Sequence, residues 1–211
     1  LESVQDGSYR GRYSVIGMLP DLVWKSIKNE AFIKEFSKNK KNFLKLTTTP
    51  LESLKSVIAM SKVNFPKFLP PMSSALFGYL GYETIEQYET LPKRKFNELN
   101  LPDGFFIRPT IMAIFDSLEN ILIITTPSWY KKNLNLKKEY EQKINLIEKI
   151  RSNLKKPIKH FNKKTRTTKI NPKSNISKSK FIELVNEAKK HIYNGDIFQV
   201  VLSQRFKSQF K

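Results

Sequence analysis

The side chains best suited to bind a ligand lie near the end of the chain, on a predicted strand over residues 196–206. Successive side chains of a strand point to opposite faces. The apolar face comprises Phe198, Val200, Leu202 and Phe206, and the mixed face comprises Ile197, Gln199, Val201, Ser203 and Arg205. An amide, a hydroxyl and a guanidinium on one face could bind a small anion such as a dicarboxylate. The pattern alone favours an ordinary half-exposed strand.

Other clusters of polar residues carry weaker signals. Glu83, Glu86 and Glu89 recur at three-residue spacing and would share one face of a helix. Three carboxylates could hold a cation, but a solvated helix face is the favoured interpretation. Neither His160 nor His191 has a partner motif, and the chain has no glycine-rich phosphate loop. The pattern therefore predicts no catalytic residue and no metal ligand.

The charge of the chain is strongly positive and unevenly distributed. The 211 residues include 38 Lys and Arg against 19 Asp and Glu, a net charge of +19. Residues 151–180 hold eleven basic residues and no acid, with His160 and Phe161 as the only aromatic rings. A nucleic-acid surface favours Arg forks and stacking aromatics. We therefore interpret residues 156–176 as a solvated basic linker, and a nucleic-acid-binding module is the less favoured alternative.

Hydropathy and cysteine content indicate the cellular compartment in which the protein is expected. No apolar run approaches the roughly 20 residues of a membrane span, and the chain has no cysteine for a disulfide framework. Both observations favour a cytoplasmic protein without a membrane segment.

Local patterns predict a mixture of strands and helices. Predicted strands span residues 9–16, 22–28, 31–36, 75–81, 105–115, 120–126 and 196–206. Predicted helices span residues 50–60, 84–90 and 134–154, and a last helix begins at Ser177 or Ser179, either of which could cap it, and ends at Gly195. Pro20 predicts a turn over residues 17–21, and Asn29-Glu30 predicts the loop of a hairpin. Small residues in the strand over 75–81 predict a close approach of two backbones.

Four stretches resemble, in order, the motifs of one enzyme family. Residues 192–206 (IYNGDIFQVVLSQRF) resemble the first strong motif of the chorismate-utilising enzymes, most closely that of the large subunit, component I, of anthranilate synthase. Leu1-Glu2-Ser3 resembles the end of that subunit's Leu-Leu-Glu-Ser motif, and residues 11–17 resemble its Gly-Arg-Tyr-Ser-Phe-Ile-Gly segment. Residues 77–83 with Leu91-Pro92 resemble its Gly-Tyr-Leu-Gly-Tyr-Asp…Leu-Pro segment. Each motif is weak alone, but four in the same order are a specific signal.

The resemblance implies an α+β fold of antiparallel sheets flanked by helices. Residues 1–155 would form the N-terminal domain, residues 156–176 the basic linker, and residues 177–211 the start of the chorismate-binding domain. The family's magnesium ligands and catalytic residues follow the last motif. We therefore expect the chain to be a truncated, N-terminal part of a longer protein, inactive by itself.

The resemblance also implies an activity for the intact protein. It would convert chorismate to anthranilate and pyruvate, the first step of tryptophan biosynthesis, and would require Mg²⁺. The ammonia would come from glutamine through a separate amidotransferase subunit, component II. Aminodeoxychorismate synthase component I, of the folate pathway, shares the last motif and is the alternative.

The resemblance assigns site residues one by one. In the family, the Ser of Leu-Glu-Ser contributes to the pocket that binds tryptophan, the feedback inhibitor, so Ser3 is assigned to that pocket. Its hydroxyl could accept a hydrogen bond from the ligand ammonium. Glu2 and Arg12 are further candidates for the same pocket. Gln199 and Ser203 are expected near the active or regulatory site.

Overall fold

The computed structural model describes residues 1–2, 11–36, 42–92, 99–129, 135–157 and 171–209. The chain divides into two compact units, Leu1–Pro157 and Ile158–Lys211. Most of the predicted basic linker, residues 158–170, lies outside the described residues. The predicted domain boundaries therefore stay a prediction.

Six antiparallel strands of the first unit form one sheet. They are β1 (Tyr13–Ile27), β2 (Glu30–Glu35), β3 (Leu44–Lys45), β4 (Phe77–Leu80), β5 (Gly104–Asp116) and β6 (Ile121–Thr125). The strand order is β3-β2-β1-β5-β4, and β6 also pairs with β5. Helices α1 (Pro50–Met60) and α2 (Leu136–Leu154) and two short 3-10 helices, Pro71–Ser73 and Tyr82–Gln87, belong to the same unit. This combination of antiparallel strands and helices confirms the predicted α+β fold class.

The turn predicted around Pro20 is wrong, because β1 runs through these residues. β1 continues through residues 17–21, with an irregularity at Asp21 where its register with β5 shifts. Pro20 lies opposite Pro109 of β5, while β2 pairs with residues 22–27 of β1. A proline without an N–H is tolerated where the ladder needs no hydrogen bond from it. Residues 9 and 10 of the predicted first strand lie outside the described residues.

The predicted hairpin between β1 and β2 is confirmed, with its loop one residue earlier in the chain. Ile27 pairs with Glu30, so the loop residues are Lys28 and Asn29. Lys28 has a positive φ of 53°, and its N–H donates to Oδ2 of Asp103 at 2.5 Å. This tertiary hydrogen bond holds a left-handed residue that the local sequence does not indicate.

Helix α1 begins at residue 50, as predicted, with Thr49 as its cap, and packs on β1 and β2. The Thr49 hydroxyl accepts the Glu52 N–H at 3.3 Å, and the Glu52 carboxylate accepts the Thr49 N–H at 3.2 Å. This reciprocal capping box satisfies two otherwise unpaired N–H groups. The core beneath α1 comprises Leu22, Trp24, Ala31, Ile33, Leu54 and Val57. Burial of each large apolar side chain contributes about 1.5–3 kcal/mol, so this cluster fixes α1 on β1 and β2.

The second unit contains α3 (Lys178–Tyr193) and a short strand pair, β7 (Lys173–Ser174) and β8 (Phe206–Lys207). Of the two predicted caps of α3, the structure uses Ser177, and Gly195, with φ 79°, follows the end of the helix as predicted. The strand predicted over residues 196–206 is wrong, because Phe206 is the one member of that range in a strand among the described residues. A strand requires partner backbone along its length, and no described strand pairs with residues 197–205.

Candidate functional site

Two backbone hydrogen bonds hold Leu1 beside the amino-terminal half of β1. The Leu1 amino group donates to the Val15 carbonyl at 2.9 Å, and the Val15 N–H donates to the Leu1 carbonyl at 2.7 Å. Such an exchange of both bonds is typical of an antiparallel pair. Glu2, the next residue, is exposed, and no contact between Glu2 and Arg12 is present among the described residues. Ser3 lies outside the described residues, so its place in this site stays a prediction.

Arg12 is held by a buried carboxylate on the neighbouring strand. Its Nε donates to Oδ1 of Asp116 at 2.8 Å, and its Nη2 donates to Oδ2 at 2.6 Å. The guanidinium also lies 5.0 Å from the centre of the Tyr13 ring. This bidentate geometry is the strong form of a charge-assisted hydrogen bond. Nε and Nη2 of Arg12 thus donate to Asp116. A ligand contact would have to use the remaining N–H groups of the guanidinium.

The Arg12 hydrogen bonds lower the pKa of Asp116 below its ordinary value. Burial of the carboxyl opposes this shift, and the backbone N–H groups of Glu119 and Leu118 support it. A carboxyl whose pKa is depressed on folding contributes stability above the pKa of the unfolded chain, about 3.9. That contribution is lost as the pH falls through the lower pKa of the folded state.

We expect the difference in free energy of unfolding between the wild type and Asp116→Asn to shrink as the pH falls. The difference in free energy of unfolding should be constant above about pH 5 and shrink below about pH 4, where the unfolded carboxyl binds its proton first. Urea unfolding at a series of pH values measures it. A difference that stays constant down to the acid transition would contradict the assigned role of the Arg12–Asp116 pair.

A second arginine–aspartate pair was not found by sequence reasoning. Arg108 of β5 donates from Nε and Nη2 to the two carboxylate oxygens of Asp21, both at 2.8 Å, and from Nη1 to Oγ of Ser61 at 3.1 Å. Its guanidinium lies 4.6 Å from the centre of the Trp129 ring. The available signal was a charged residue inside the apolar run of residues 104–116. The pair links β1, β5, the end of α1 and the segment after β6.

The motif over residues 77–83 has a structural explanation. Gly78 of β4 lies so close to β5 that an added Cβ would be 1.9 Å from the Phe105 carbonyl oxygen. The Gly81 N–H donates to the Asp103 carbonyl at 2.6 Å, and the Thr84 hydroxyl donates to the same oxygen at 3.2 Å. The predicted close approach of two backbones is therefore confirmed, and the motif fixes the β4–β5 pairing.

The remaining predicted site residues belong to the second unit. Gln199 and Ser203 are exposed and lie in the segment between α3 and β8. Nδ1 of His191, which sequence reasoning left without a partner, is 2.8 Å from Oδ2 of Asp196, and its Nε2 is 3.8 Å from Oε1 of Glu187. These contacts tie the end of α3 to the first residues of the motif over 192–206. The assignment of Gln199 and Ser203 to a site stays a prediction.

Across the described ranges, no group of three or more His, Cys, Asp or Glu side chains is arranged to hold a metal ion. None of the helices within those ranges is long and apolar enough to cross a membrane.

Comparisons with known proteins give one consistent result. Residues 19–211 match the family model described as chorismate binding enzyme. The chain is 35% identical over its full length to anthranilate synthase component 1 of Cereibacter sphaeroides, covering 43% of that protein. It is 33% identical over 97% of its length to the protein of the same name from Acetivibrio thermocellus, covering 42% of it. A crystal structure of anthranilate synthase component I from Streptococcus pneumoniae superimposes on 99% of the chain with a TM-score of 0.74 at 22% identity, which covers 44% of that structure.

Proposed function

Because the chain belongs to the chorismate-binding enzyme family, we propose that it is part of the synthase subunit of an anthranilate synthase. The complete protein would convert chorismate and ammonia to anthranilate and pyruvate, a lyase reaction that opens tryptophan biosynthesis in the cytoplasm. The observation that carries the proposal is the alignment of the whole chain with relatives named anthranilate synthase component 1. The chain spans about 43% of the length of those relatives, so the activity is proposed for the longer protein.

The proposed partner is a glutamine amidotransferase subunit. The relatives are named component 1, which supports a second component, and a chorismate-to-anthranilate reaction needs a source of nitrogen. Such a subunit would release ammonia from glutamine and deliver it to the synthase subunit. Aminodeoxychorismate synthase component I remains the competing proposal, but the relatives named above do not favour it.

Magnesium is the proposed cofactor. It would hold the substrate carboxylate and stabilise the charge that develops on it, as a Lewis acid does. The resemblance places its ligands in sequence outside these 211 residues. We therefore assign no magnesium ligand within the chain.

The activity assay tests this proposal directly. The complete protein, with Mg²⁺, chorismate and ammonia, is expected to form anthranilate, which is measured by its fluorescence. Chorismate consumption that yields aminodeoxychorismate instead would favour the folate enzyme. The 211-residue chain alone is expected to form no anthranilate, and fluorescence above the blank would contradict the assignment of the catalytic residues to the rest of the protein.

We further propose that tryptophan inhibits the complete protein from a pocket to which Ser3 contributes. The support is the Leu-Glu-Ser resemblance together with the pairing of Leu1 with β1, which fixes the start of this segment on the sheet. A ligand ammonium could donate to the Ser3 hydroxyl, and Glu2 would lie nearby to offset its charge. Two distinct sites and two states are what feedback inhibition requires.

Ser3→Ala in the complete protein is expected to weaken inhibition by tryptophan about ten- to hundredfold. A hydrogen bond to a charged group is worth roughly 1.5–3 kcal/mol, which corresponds to that range of affinity. The KM for chorismate should change little, because the substrate site is proposed to use other residues. Ser56→Ala, an exposed serine of α1, is the matched control. Equal tryptophan sensitivity of wild type and Ser3→Ala would remove Ser3 from the pocket.

A further inference from the structure

The segment between α3 and β8, residues 196–205, carries the predicted site residues Gln199 and Ser203 and belongs to no strand among the described residues. Within the described part of the chain, none of the backbone groups of residues 197–204 bonds with another backbone group. A segment with so few backbone hydrogen bonds has little local stability of its own. The position of Gln199 and Ser203 therefore depends on how the two ends of the segment are held.

The start of the segment is fixed by the way in which α3 ends. The Gly195 N–H donates to the Ile192 carbonyl at 3.1 Å, and the Asp196 N–H donates to the His191 carbonyl at 3.0 Å. Gly195 has a positive φ of 79°, which glycine adopts without steric strain. Together these features form the Schellman motif that commonly ends a helix. The chain therefore leaves α3 in a fixed direction.

The side chains of His191 and Asp196 add a second contact to this motif. A Schellman motif often carries an apolar contact between the residues at these two positions. Here Nδ1 of His191 is instead 2.8 Å from Oδ2 of Asp196. Because an ionised carboxylate can only accept, the Nδ1–H of His191 donates this hydrogen bond. His191 thus holds Asp196, the first residue of the segment, through both its carbonyl and its ring.

The end of the segment is held by Asn175, which lies 30 residues earlier in the chain. The Asn175 N–H donates to the Arg205 carbonyl at 2.9 Å, and the Arg205 N–H donates to Oδ1 of Asn175 at 2.8 Å. The Ser174 hydroxyl donates to Oε1 of Gln204 at 3.0 Å. The pairing of β7 with β8 continues directly from these contacts. The last residues of the segment are therefore fixed by a side chain as well as by a strand pair.

We propose that His191 and Asn175 are positioning residues for the reaction of the complete protein. They hold both ends of the segment so that Gln199 and Ser203 can meet chorismate. The proposal rests on the proposed function, which identifies the ligand as a dicarboxylate. The Gln199 amide and the Ser203 hydroxyl can each donate a hydrogen bond to a carboxylate oxygen, and both side chains are exposed. The two positioning residues would act through the backbone of the segment, without contact to the ligand.

The first measurement needs no enzymatic activity and uses the 211-residue chain. We expect His191→Leu to speed the hydrogen exchange of the Asp196 amide, and Asn175→Ala to speed that of the Arg205 amide. Each rate should rise about two- to fivefold, the range for the loss of one exposed hydrogen bond or ion pair. Amide exchange followed by NMR measures both rates, and circular dichroism establishes that the variants are folded.

Lys180→Gln is the matched control for the exchange measurement. It breaks an exposed ion pair with Glu183 within α3 and leaves the hydrogen bonds at both ends of the segment intact. Both exchange rates should therefore stay unchanged. Unchanged rates in His191→Leu and Asn175→Ala, or an equal acceleration in Lys180→Gln, would overturn the proposal whatever the activity of the complete protein.

The second measurement uses the complete protein with chorismate, ammonia and Mg²⁺. His191→Leu and Asn175→Ala should each raise the KM for chorismate about two- to fivefold, with a smaller change in kcat, because they displace groups proposed to bind the substrate. Two conservative variants should restore most of this loss. The amide of His191→Asn can donate to Asp196 in place of the ring N–H. The carboxylate of Asn175→Asp keeps an acceptor for the Arg205 N–H.

Three outcomes of the kinetic measurement would go against the proposal or its premise. A lower Tm with an unchanged KM would reduce both residues to a structural role and overturn the proposal. Altered inhibition by tryptophan with an unchanged KM for chorismate would also overturn it, in favour of the regulatory site. If the wild type formed no anthranilate, the proposed function would fail, and the exchange rates would still decide whether the two side chains hold the segment.

Discussion

Replacing Asp21 with alanine is expected to destabilise the first unit by about 3–5 kcal/mol, because Arg108 would keep a buried charge without its carboxylate partner. The Arg108 side chain is 9% exposed and that of Asp21 is 18% exposed. The bond to Ser61 and the Trp129 ring would remain, but neither neutralises the guanidinium. Since native domains are stable by only about 5–15 kcal/mol, the loss would be a large fraction of the total.

Urea unfolding followed by tryptophan fluorescence measures this loss. The two tryptophans of the chain, Trp24 and Trp129, both belong to the first unit, so the signal reports on that unit. Glu30→Ala is the matched control, because it breaks the exposed Lys45–Glu30 pair and should cost at most about 1 kcal/mol. An Asp21→Ala variant as stable as Glu30→Ala would show that the Arg108 pair is not important for stability. The double variant Asp21→Ala/Arg108→Met should recover part of the loss, since it removes the uncompensated charge.

The parts of the fold that could be predicted from sequence are those with local signals. Thr49-Pro50 and Glu52 define the start of α1 within a few residues, and a capping box acts through neighbours in sequence. The long apolar strands β5 and β6 and the capped helix α3 are equally local features. Their bounds were predicted to within one or two residues of those in the structure.

The errors arose where tertiary pairing decides the conformation. Pro20 indicates a turn in isolation, but β5 offers Pro109 opposite it, so β1 continues. The segment over residues 196–206 has a strand-like pattern, yet a strand depends on backbone partners elsewhere in the chain. Among the described residues, Phe206 of this segment pairs with β7.

In the candidate site too, local signals were predictable from sequence and long-range contacts were not. The resemblance picks out Arg12 because it lies in a motif, but it does not reveal Asp116, which is 104 residues away in sequence. Gly78 was predictable, since a glycine in a strand pattern often marks a close approach of backbones. The Arg108–Asp21 pair was not predictable, because it joins two strands through residues that are 87 positions apart in sequence.

Gly78→Ala is expected to destabilise the first unit by at least about 3 kcal/mol, at or beyond the upper end of ordinary overpacking. The added Cβ would lie 1.9 Å from the Phe105 carbonyl oxygen and 2.7 Å from the Phe106 Cα, and both of these atoms are backbone. A side chain could rotate away from such a contact, but backbone atoms can separate only if β4 moves from β5. The expected decrease in Tm is roughly 6–12 °C for a chain of this size.

Gly81→Ala provides the matched control within the same motif. Its added Cβ would be 3.0 Å from the Asp103 carbonyl oxygen, a distance that a shift of a few tenths of an ångström can relieve. The lower entropy of the unfolded alanine chain offsets part of that strain, so the net change should lie within about 1 kcal/mol of zero. Thermal unfolding followed by tryptophan fluorescence gives the Tm of the first unit for both variants. If both lowered Tm equally, the motif would act through the general flexibility of glycine, and the close β4–β5 contact would not be what requires Gly78.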